Sequence, residues 1–269
     1  MIYSLRIFNF LVFSFCATIL LAQPLVIAHR GASAYEPENT LAAFEKAIEM
    51  GADYIETDVH QTKDSVLVLM HDLTVSRTCE ANSELKTKLV KELSYTEFSS
   101  LKIKGKKYAP PTLEAALNLI NGRCKLLIEL KKGSNYYPGI EKRVMNLIKK
   151  NNAESWADII HSFDKKALLK VNEQKTGIKL QKLIVFKFPL SSFNFSKGIK
   201  KDDFSDWRGV NVYYRFARKK LIKKLHKQGK TVYVWTVNNP KKAKELIKRG
   251  VDGIITNKPD IIKEILVDK

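Results

Sequence analysis

Short apolar runs recur along the chain, and most are followed by a longer stretch whose apolar positions fall three or four residues apart. Leu25 to Ala28 is the first such run. Asn39 to Met50 follows as a predicted helix, with Asn39 placed to cap it, Leu41, Phe44 and Ile48 on its apolar face, and Gly51 to stop it. Tyr54 to Asp58 is the second strand, and Lys125–Leu130, Asp158–Ser162, Leu180–Phe186, Val210–Tyr213, Thr231–Thr236 and Gly253–Thr256 are the later ones. Helical stripes lie between them. Ile140, Val144, Leu147 and Ile148 make one, Ala167, Leu168 and Val171 another, Leu221, Ile222 and Leu225 a third. Asn239 and Pro240 open a further helix that Gly250 closes. Eight strands separated by helices imply a parallel sheet, and in one unit of this length they favour a closed (β/α)8 TIM barrel over an open doubly wound sheet.

Three segments stand outside that alternation. After the second strand the chain turns at Thr62-Lys63-Asp64-Ser65 and returns as Val66 to Met70. So short a connection joins antiparallel strands only. A turn carrying Ser65 is expected to avoid a positive φ there, since that region favours glycine. Residues 73–111 are mostly polar, with helical period only near Tyr95 to Leu101, and read as a small insertion after the hairpin. Residues 1–22 hold Arg6, an apolar run from Ile7 to Leu21 and a small Ala22, the pattern of a secretory signal peptide. The expected mature domain is therefore 23–269, exported to the periplasm or the outside.

The formal charge is +19, and removing Arg6 with the leader would leave +18. Basic clusters at Lys102–Lys107, Lys197–Lys201, Arg218–Lys224 and Lys241–Lys248 read as spread along the chain. They suit either a solvated surface or peripheral contact with an anionic membrane surface. No zinc-finger, RNA-reading or helix-turn-helix signature accompanies them, which argues against nucleic acid. Cys79 and Cys124 remain after the leader, and an exported chain permits them to pair.

Chemistry in a barrel of this kind belongs at the C-terminal ends of the strands. There the first strand presents His29-Arg30-Gly31, the second Glu56 and Asp58, the third Glu129 with Lys131 two residues on, and the seventh Trp235. Glu56 and Asp58 share a face because side chains alternate along a strand. The hairpin brings His71 roughly beside Glu56. Three carboxylates from neighbouring strands suit a hard divalent cation, Ca²⁺ or Mg²⁺. His29 and His71 are of the type that exchanges protons near neutral pH, and Arg30 and Lys131 suit a phosphate. Together these point to phosphate-ester cleavage. Other histidines carry no chemistry in this reading: His60 is structural or exposed, His161 packing, His226 solvated on a lysine-rich helix. Glu38 is placed to orient Arg30 or to precede the helix, and Trp235 reads nearly as well as core.

The run His29-Arg30-Gly31-Ala32-Ser33, Pro37-Glu38-Asn39-Thr40-Leu41, Glu56-Thr57-Asp58-Val59 and His71-Asp72 strongly resembles glycerophosphodiester phosphodiesterases. The resemblance continues in order through Pro111-Thr112-Leu113-Glu114, Ile128-Glu129-Leu130-Lys131, Ser162-Phe163-Asp164, Trp235-Thr236-Val237-Asn238 and Asp252-Gly253-Ile254-Ile255-Thr256. It implies a TIM barrel in which Glu56, Asp58 and Glu129 hold the metal, His29 and His71 are general acid and base, Arg30 contacts phosphate, Lys131 supports the charge and Trp235 walls the glycerol side. The implied reaction releases sn-glycerol 3-phosphate and an alcohol from deacylated phospholipids, by attack of the glycerol 2-hydroxyl and opening of a cyclic phosphate by water. Two positions depart from the family pattern: Asn257 where Asp is common, and Ser65 where Gly is common. A lipid-cleaving relative that stops at the cyclic phosphate is a second reading, kept open by Phe188, Phe193, Phe195 and Phe204 in the 187–207 loop. A non-catalytic protein that holds anionic lipid is a third.

Overall fold

The structure, a computed structural model, describes residues 23–184 and 207–267. The expected leader, the aromatic loop and the end of the fifth barrel strand at Phe186 fall outside the described residues. The chain runs β1 (Leu25–His29), α1 (Leu41–Glu49), β2 (Tyr54–Gln61) and β3 (Leu67–Leu69), then an insertion with β4 (Cys79–Glu80), α2 (Ser83–Thr87), α3 (Tyr95–Ser99) and β5 (Lys102–Ile103). It continues as α4 (Leu113–Ile120), β6 (Lys125–Leu130), α5 (Ile140–Lys150), β7 (Ile159–Ser162), α6 (Lys165–Asn172) and β8 (Lys179–Ile184). The last part is β9 (Gly209–Tyr213), α7 (Lys219–His226), β10 (Thr231–Trp235), α8 (Pro240–Arg249), β11 (Gly253–Thr256) and α9 (Pro259–Val267).

Among the described residues eight parallel strands close in the order β1, β11, β10, β9, β8, β7, β6, β2, with β2 pairing back to β1. The barrel predicted from the alternation of strands and helices is the observed architecture. β3 adds to β2 in antiparallel sense, Val59 facing Leu69, so the hairpin is an excursion from the barrel as expected. The barrel centre is filled by Ile27, Tyr54, Leu127, Ile159, Tyr233 and Ile255. Each of His29, Glu56, Glu129 and His161 lies two residues beyond one of these along its own strand. The same pleat that buries the apolar layer therefore turns the next layer of side chains inward, one step nearer the C-terminal mouth.

Two local expectations are corrected. Asn39 does not cap α1. Thr40 does, accepting from the Ala43 amide at 3.2 Å, while Asn39 sits at φ +56 with its side chain bonded to Thr57 and Asp58 of β2. The insertion, with α3 inside the Tyr95–Leu101 stretch, packs with the hairpin's return arm around a small core of Val68, Met70, Val75, Cys79, Val90, Leu93, Phe98, Leu101 and Ile103, all buried. Its apolar residues are few and widely spaced, so no single period announces them. Ser65 occupies the left-handed region at φ +72, contrary to the turn expected from its side chain.

Cys79 and Cys124 are both free and buried, the first inside the insertion core and the second in the main core between barrel and helices. The charge is also less evenly spread than the clusters suggest. Between Arg215 and Arg249 lie 13 of the 47 basic residues against a single acid, Glu245. That stretch holds the neighbouring outer helices α7 and α8, which present Lys219, Lys220, Lys223, Lys241, Lys244 and Lys248 outward.

Left-handed φ costs a side-chain-bearing residue about 1–2 kcal/mol, part of which glycine returns through its greater unfolded freedom. Ser65→Gly is therefore expected to raise unfolding free energy by about 0.5–1 kcal/mol in urea titrations. An unchanged or lowered midpoint would show that the turn carries no such strain.

Candidate active site

Strand register aligns the polar layer. His29 on β1 pairs with Glu56 on β2, Asp58 on β2 with Glu129 on β6, and Glu129 with His161 on β7. Glu56, Asp58, Glu129 and His161 are all buried. Ligand atoms of Glu56, Glu129 and His161 lie within 4.8 Å of one another. The His161 Nε2, 3.5 Å from Glu56 Oε1, has no hydrogen-bond partner among the described residues. Asn211 Nδ2 donates to its Nδ1 at 2.6 Å, which places the ring proton on Nε2, facing the two glutamates. Turning that amide over would bring Oδ1 to Nδ1 and leave the Nε2 lone pair in the same place.

Asp58 is held differently. Asn39 Nδ2 donates to it at 2.8 Å, Arg30 Nε stands at 3.2 Å and Lys131 Nζ at 3.3 Å. Lys131 is also 3.1 Å from Glu129. Burial pushes the Asp58 carboxyl up, but Lys131 and Arg30 overcome this and hold it well below the usual carboxylate range. Glu56 is pushed up to about 7 by burial and by the Asp58 charge, and Glu129 up to about 7 by burial, with Lys131 opposing. Two buried carboxyls that ionise reluctantly within 4.8 Å of each other are suited to a divalent cation, which would supply the missing positive charge.

The turn after β1 depends on backbone conformations that few residues adopt. Arg30 takes φ +58 and Gly31 φ +80. A Cβ on Gly31 would lie 2.6 Å from the Ala43 carbonyl of α1, so only glycine fits. The turn aims the Arg30 amide at Glu56 Oε2, 2.9 Å away, and its carbonyl accepts from the Asn39 amide at 3.0 Å. Asn39 in turn accepts from Thr57 Oγ1 at 2.8 Å and from the Asp58 amide at 3.1 Å. Asn is among the few residues that enter this region readily.

The two mouth histidines have unlike partners. His29 Nδ1 is 2.7 Å from Asn257 Oδ1, a neutral amide. His71 Nδ1 is 2.7 Å from Asp72 Oδ1, a carboxylate. Burial lowers the pKa of both imidazoles below the ordinary value. Trp235 is half-buried at the mouth, edge-on to Phe163 with centroids 5.8 Å apart and 5.7 Å from Tyr213.

Comparison with known proteins decides the lineage. The sequence model of the glycerophosphoryl diester phosphodiesterase family matches residues 29–261. This chain belongs to that family. A Bacillus subtilis relative, provisionally named a glycerophosphodiester phosphodiesterase, is 37% identical over 244 residues, covering 88% of this chain and 96% of its own. The glycerophosphodiester phosphodiesterase of Caldanaerobacter subterraneus is 36% identical over 242 residues, covering 88% and 96%. Among solved structures, an Oleispira antarctica phosphodiesterase in complex with the product sn-glycerol-3-phosphate superposes with TM-score 0.78 at 24% identity, covering 92% of this chain and 98% of that one. The chain is an enzyme of the glycerophosphodiester phosphodiesterase class.

In this phosphodiesterase the residues singled out from sequence gather at one barrel end: Glu56, Asp58, Glu129 and Lys131 inside, His29, Arg30 and His71 at the mouth, Trp235 at its aromatic side. Two were missed. His161, read as packing, faces Glu56 and Glu129. Its phase was legible, since it lies two residues beyond apolar Ile159 on a strand next to that of Glu129. Asn39, read as a cap, orders Asp58. His60, read as structural or exposed, is structural: fully buried, it donates from Nε2 to the His71 carbonyl at 3.2 Å and meets Tyr137 Oη through Nδ1 at 2.6 Å, so it pins the main chain that carries His71. His226 is paired with Asp252 at 2.8 Å, not simply solvated.

Burial pushes His60 down to about 4, from 6.5 in the unfolded chain. The folded state therefore refuses a proton that the unfolded state accepts. The stability this contributes is full above pH 6.5 and is lost as pH falls toward 4, by about 3 kcal/mol. The difference in unfolding free energy between the wild type and His60→Asn is expected to shrink by about that amount between about pH 7.5 and pH 4. A difference independent of pH would show that His60 is not held neutral.

Proposed function

We propose that the protein is an exported, metal-dependent glycerophosphodiesterase that releases sn-glycerol 3-phosphate and an alcohol. The observation that carries this reading is the meeting of buried Glu56 and Glu129 with Arg30, Lys131, His29 and His71 at one barrel end. In it Glu56 and Glu129 hold the cation, Ca²⁺ or Mg²⁺, with Asp58 as the third carboxylate and His161 facing the same space. When bound, the cation neutralises charge on the phosphate oxygens.

The chain's own groups then divide the work. Arg30 and Lys131 bind the non-bridging phosphate oxygens. Trp235, with Phe163 and Tyr213 beside it, walls the glycerol and excludes water. His29, whose partner is the neutral Asn257 amide, takes the proton from the glycerol 2-hydroxyl as its oxygen bonds to phosphorus. His71, whose imidazolium the Asp72 carboxylate stabilises, gives its proton to the leaving alkoxide as the other P–O bond breaks. In the second half water attacks the cyclic phosphate with the roles reversed. The ring oxygen regains its proton and sn-glycerol 3-phosphate leaves. Asn257 in place of the commoner Asp leaves His29 Nδ1 bonded to a neutral amide, not a carboxylate, which favours the neutral, proton-accepting form of the ring. Contact with an anionic membrane surface, in this reading, falls to the lysines of α7 and α8.

Phosphorus NMR on glycerophosphocholine and glycerophosphoethanolamine, with Ca²⁺ or Mg²⁺ added separately, tests the reading. Glycerol 3-phosphate is expected with at least one ion and is lost in excess chelator. His29→Gln and His71→Gln should each lower kcat by about 10²- to 10⁴-fold. Cleavage that persists unchanged in chelator, or no cleavage with either ion, would overturn it.

A further inference from the structure

Arg77 belongs to the insertion, not to the barrel, and stands outside every motif that carries the family resemblance above. Its guanidinium nevertheless spans the mouth. Nε donates to Asp72 Oδ2 at 2.6 Å, and Nη2 reaches Asp72 Oδ1 at 3.2 Å. Nη1 donates to Glu38 Oε2 at 2.8 Å and Nη2 to Glu38 Oε1 at 2.7 Å. Both contacts are forked, the geometry in which a guanidinium fixes a carboxylate's orientation as well as its charge. Asp72 orients His71 at 2.7 Å, and Glu38 holds Arg30 Nη1 at 3.0 Å. One continuous chain thus runs His71, Asp72, Arg77, Glu38, Arg30.

We propose that Arg77 is a positioning residue that sets the imidazole side of the mouth and the phosphate-binding side at a fixed separation. The proposal rests on the diesterase reading, since it assigns His71 to proton transfer and Arg30 to phosphate. A plainer role, fastening the insertion to the barrel, is not required of this side chain. Val75 and Cys79, two residues to either side of Arg77, are both fully buried in the insertion core and fix its backbone. The guanidinium itself is about half exposed, its side chain at 47%. A surface fork of this kind adds little to stability but much to geometry.

Lysine cannot replace it. A single ammonium has no planar fork and holds one carboxylate at a time. Glu38 without Arg77 keeps Arg30 but loses its own orientation, and Asp72 likewise keeps His71 but is free to turn. Substitution should therefore register on both sides of the reaction: on phosphate binding through Glu38 and on proton transfer through Asp72.

The test is a set of variants in the full chain, assayed with the active metal and a glycerophosphodiester. Glu38→Gln should raise KM more than it lowers kcat. Asp72→Asn should lower kcat more than it raises KM. Arg77→Met should do both, with kcat/KM down by about 10- to 100-fold and the melting temperature unchanged. Arg77→Lys should recover only part of the loss, and guanidinium ion should partly restore Arg77→Ala. In the Glu38→Gln/Asp72→Asn background the Arg77→Met change should cost almost nothing further, because its partners are already gone. Binding of glycerol 3-phosphate, followed by calorimetry, should weaken in Arg77→Met. If the wild type binds glycerol 3-phosphate but cleaves no diester, the diesterase reading fails while weaker binding in Arg77→Met still supports the clamp. Kinetics and binding of Arg77→Met within about twofold of wild type, or a full penalty persisting in the double background, would overturn it.

Discussion

The structure is built around a concentration of like charge that water does not reach. Glu56, Asp58 and Glu129 are buried on two adjacent strands at one end of a barrel whose centre is otherwise apolar. Such a group cannot ionise unaided. Arg30 and Lys131 relieve Asp58, but Glu56 and Glu129 remain pushed up, and both face the unpartnered nitrogen of His161. Much of the surrounding architecture serves this cluster. The strained Arg30-Gly31 turn offers Glu56 a backbone amide, and Asn39, itself left-handed, ties three groups around Asp58.

The barrel was legible because its signal is repeated. Eight apolar runs of strand length, separated by amphipathic helices, leave few other solutions, and most predicted strand ends fall within a residue or two of those observed. β2 is the exception, running on to Gln61 because the hairpin arm β3 gives it a partner beyond the barrel rim. The charged residues of the site were legible for a related reason. An acid in an apolar strand has no structural excuse, and Glu129 stood out on that ground alone.

The less visible residues are uncharged or of mixed habit. His161 sits in an apolar strand and His60 near the end of β2, places where a histidine packs as readily as it works, and cross-strand register and hydrogen-bond partners tell them apart. Asn39 carries a helix-cap signature one residue before the true cap, Thr40. The turn at Ser65 follows not the preference of its side chain but the pairing of β2 with β3 and the hydrogen bond from the Ser65 amide to the Thr62 carbonyl. The insertion's core hides in the sequence since its buried residues come from a strand edge, two short helices and irregular chain. That core delivers the arginine that meets both sides of the mouth.

The central claim is that the buried carboxylates are incomplete without a divalent cation. Calorimetric titration of Ca²⁺ and of Mg²⁺ at pH 7, repeated in buffers of different ionisation enthalpy, addresses it most directly. With Glu56 and Glu129 each near 7, binding should release about one proton per ion, and Glu129→Gln should reduce both affinity and proton release. Absence of saturable binding by either ion, or binding whose heat is the same in every buffer, would contradict the account.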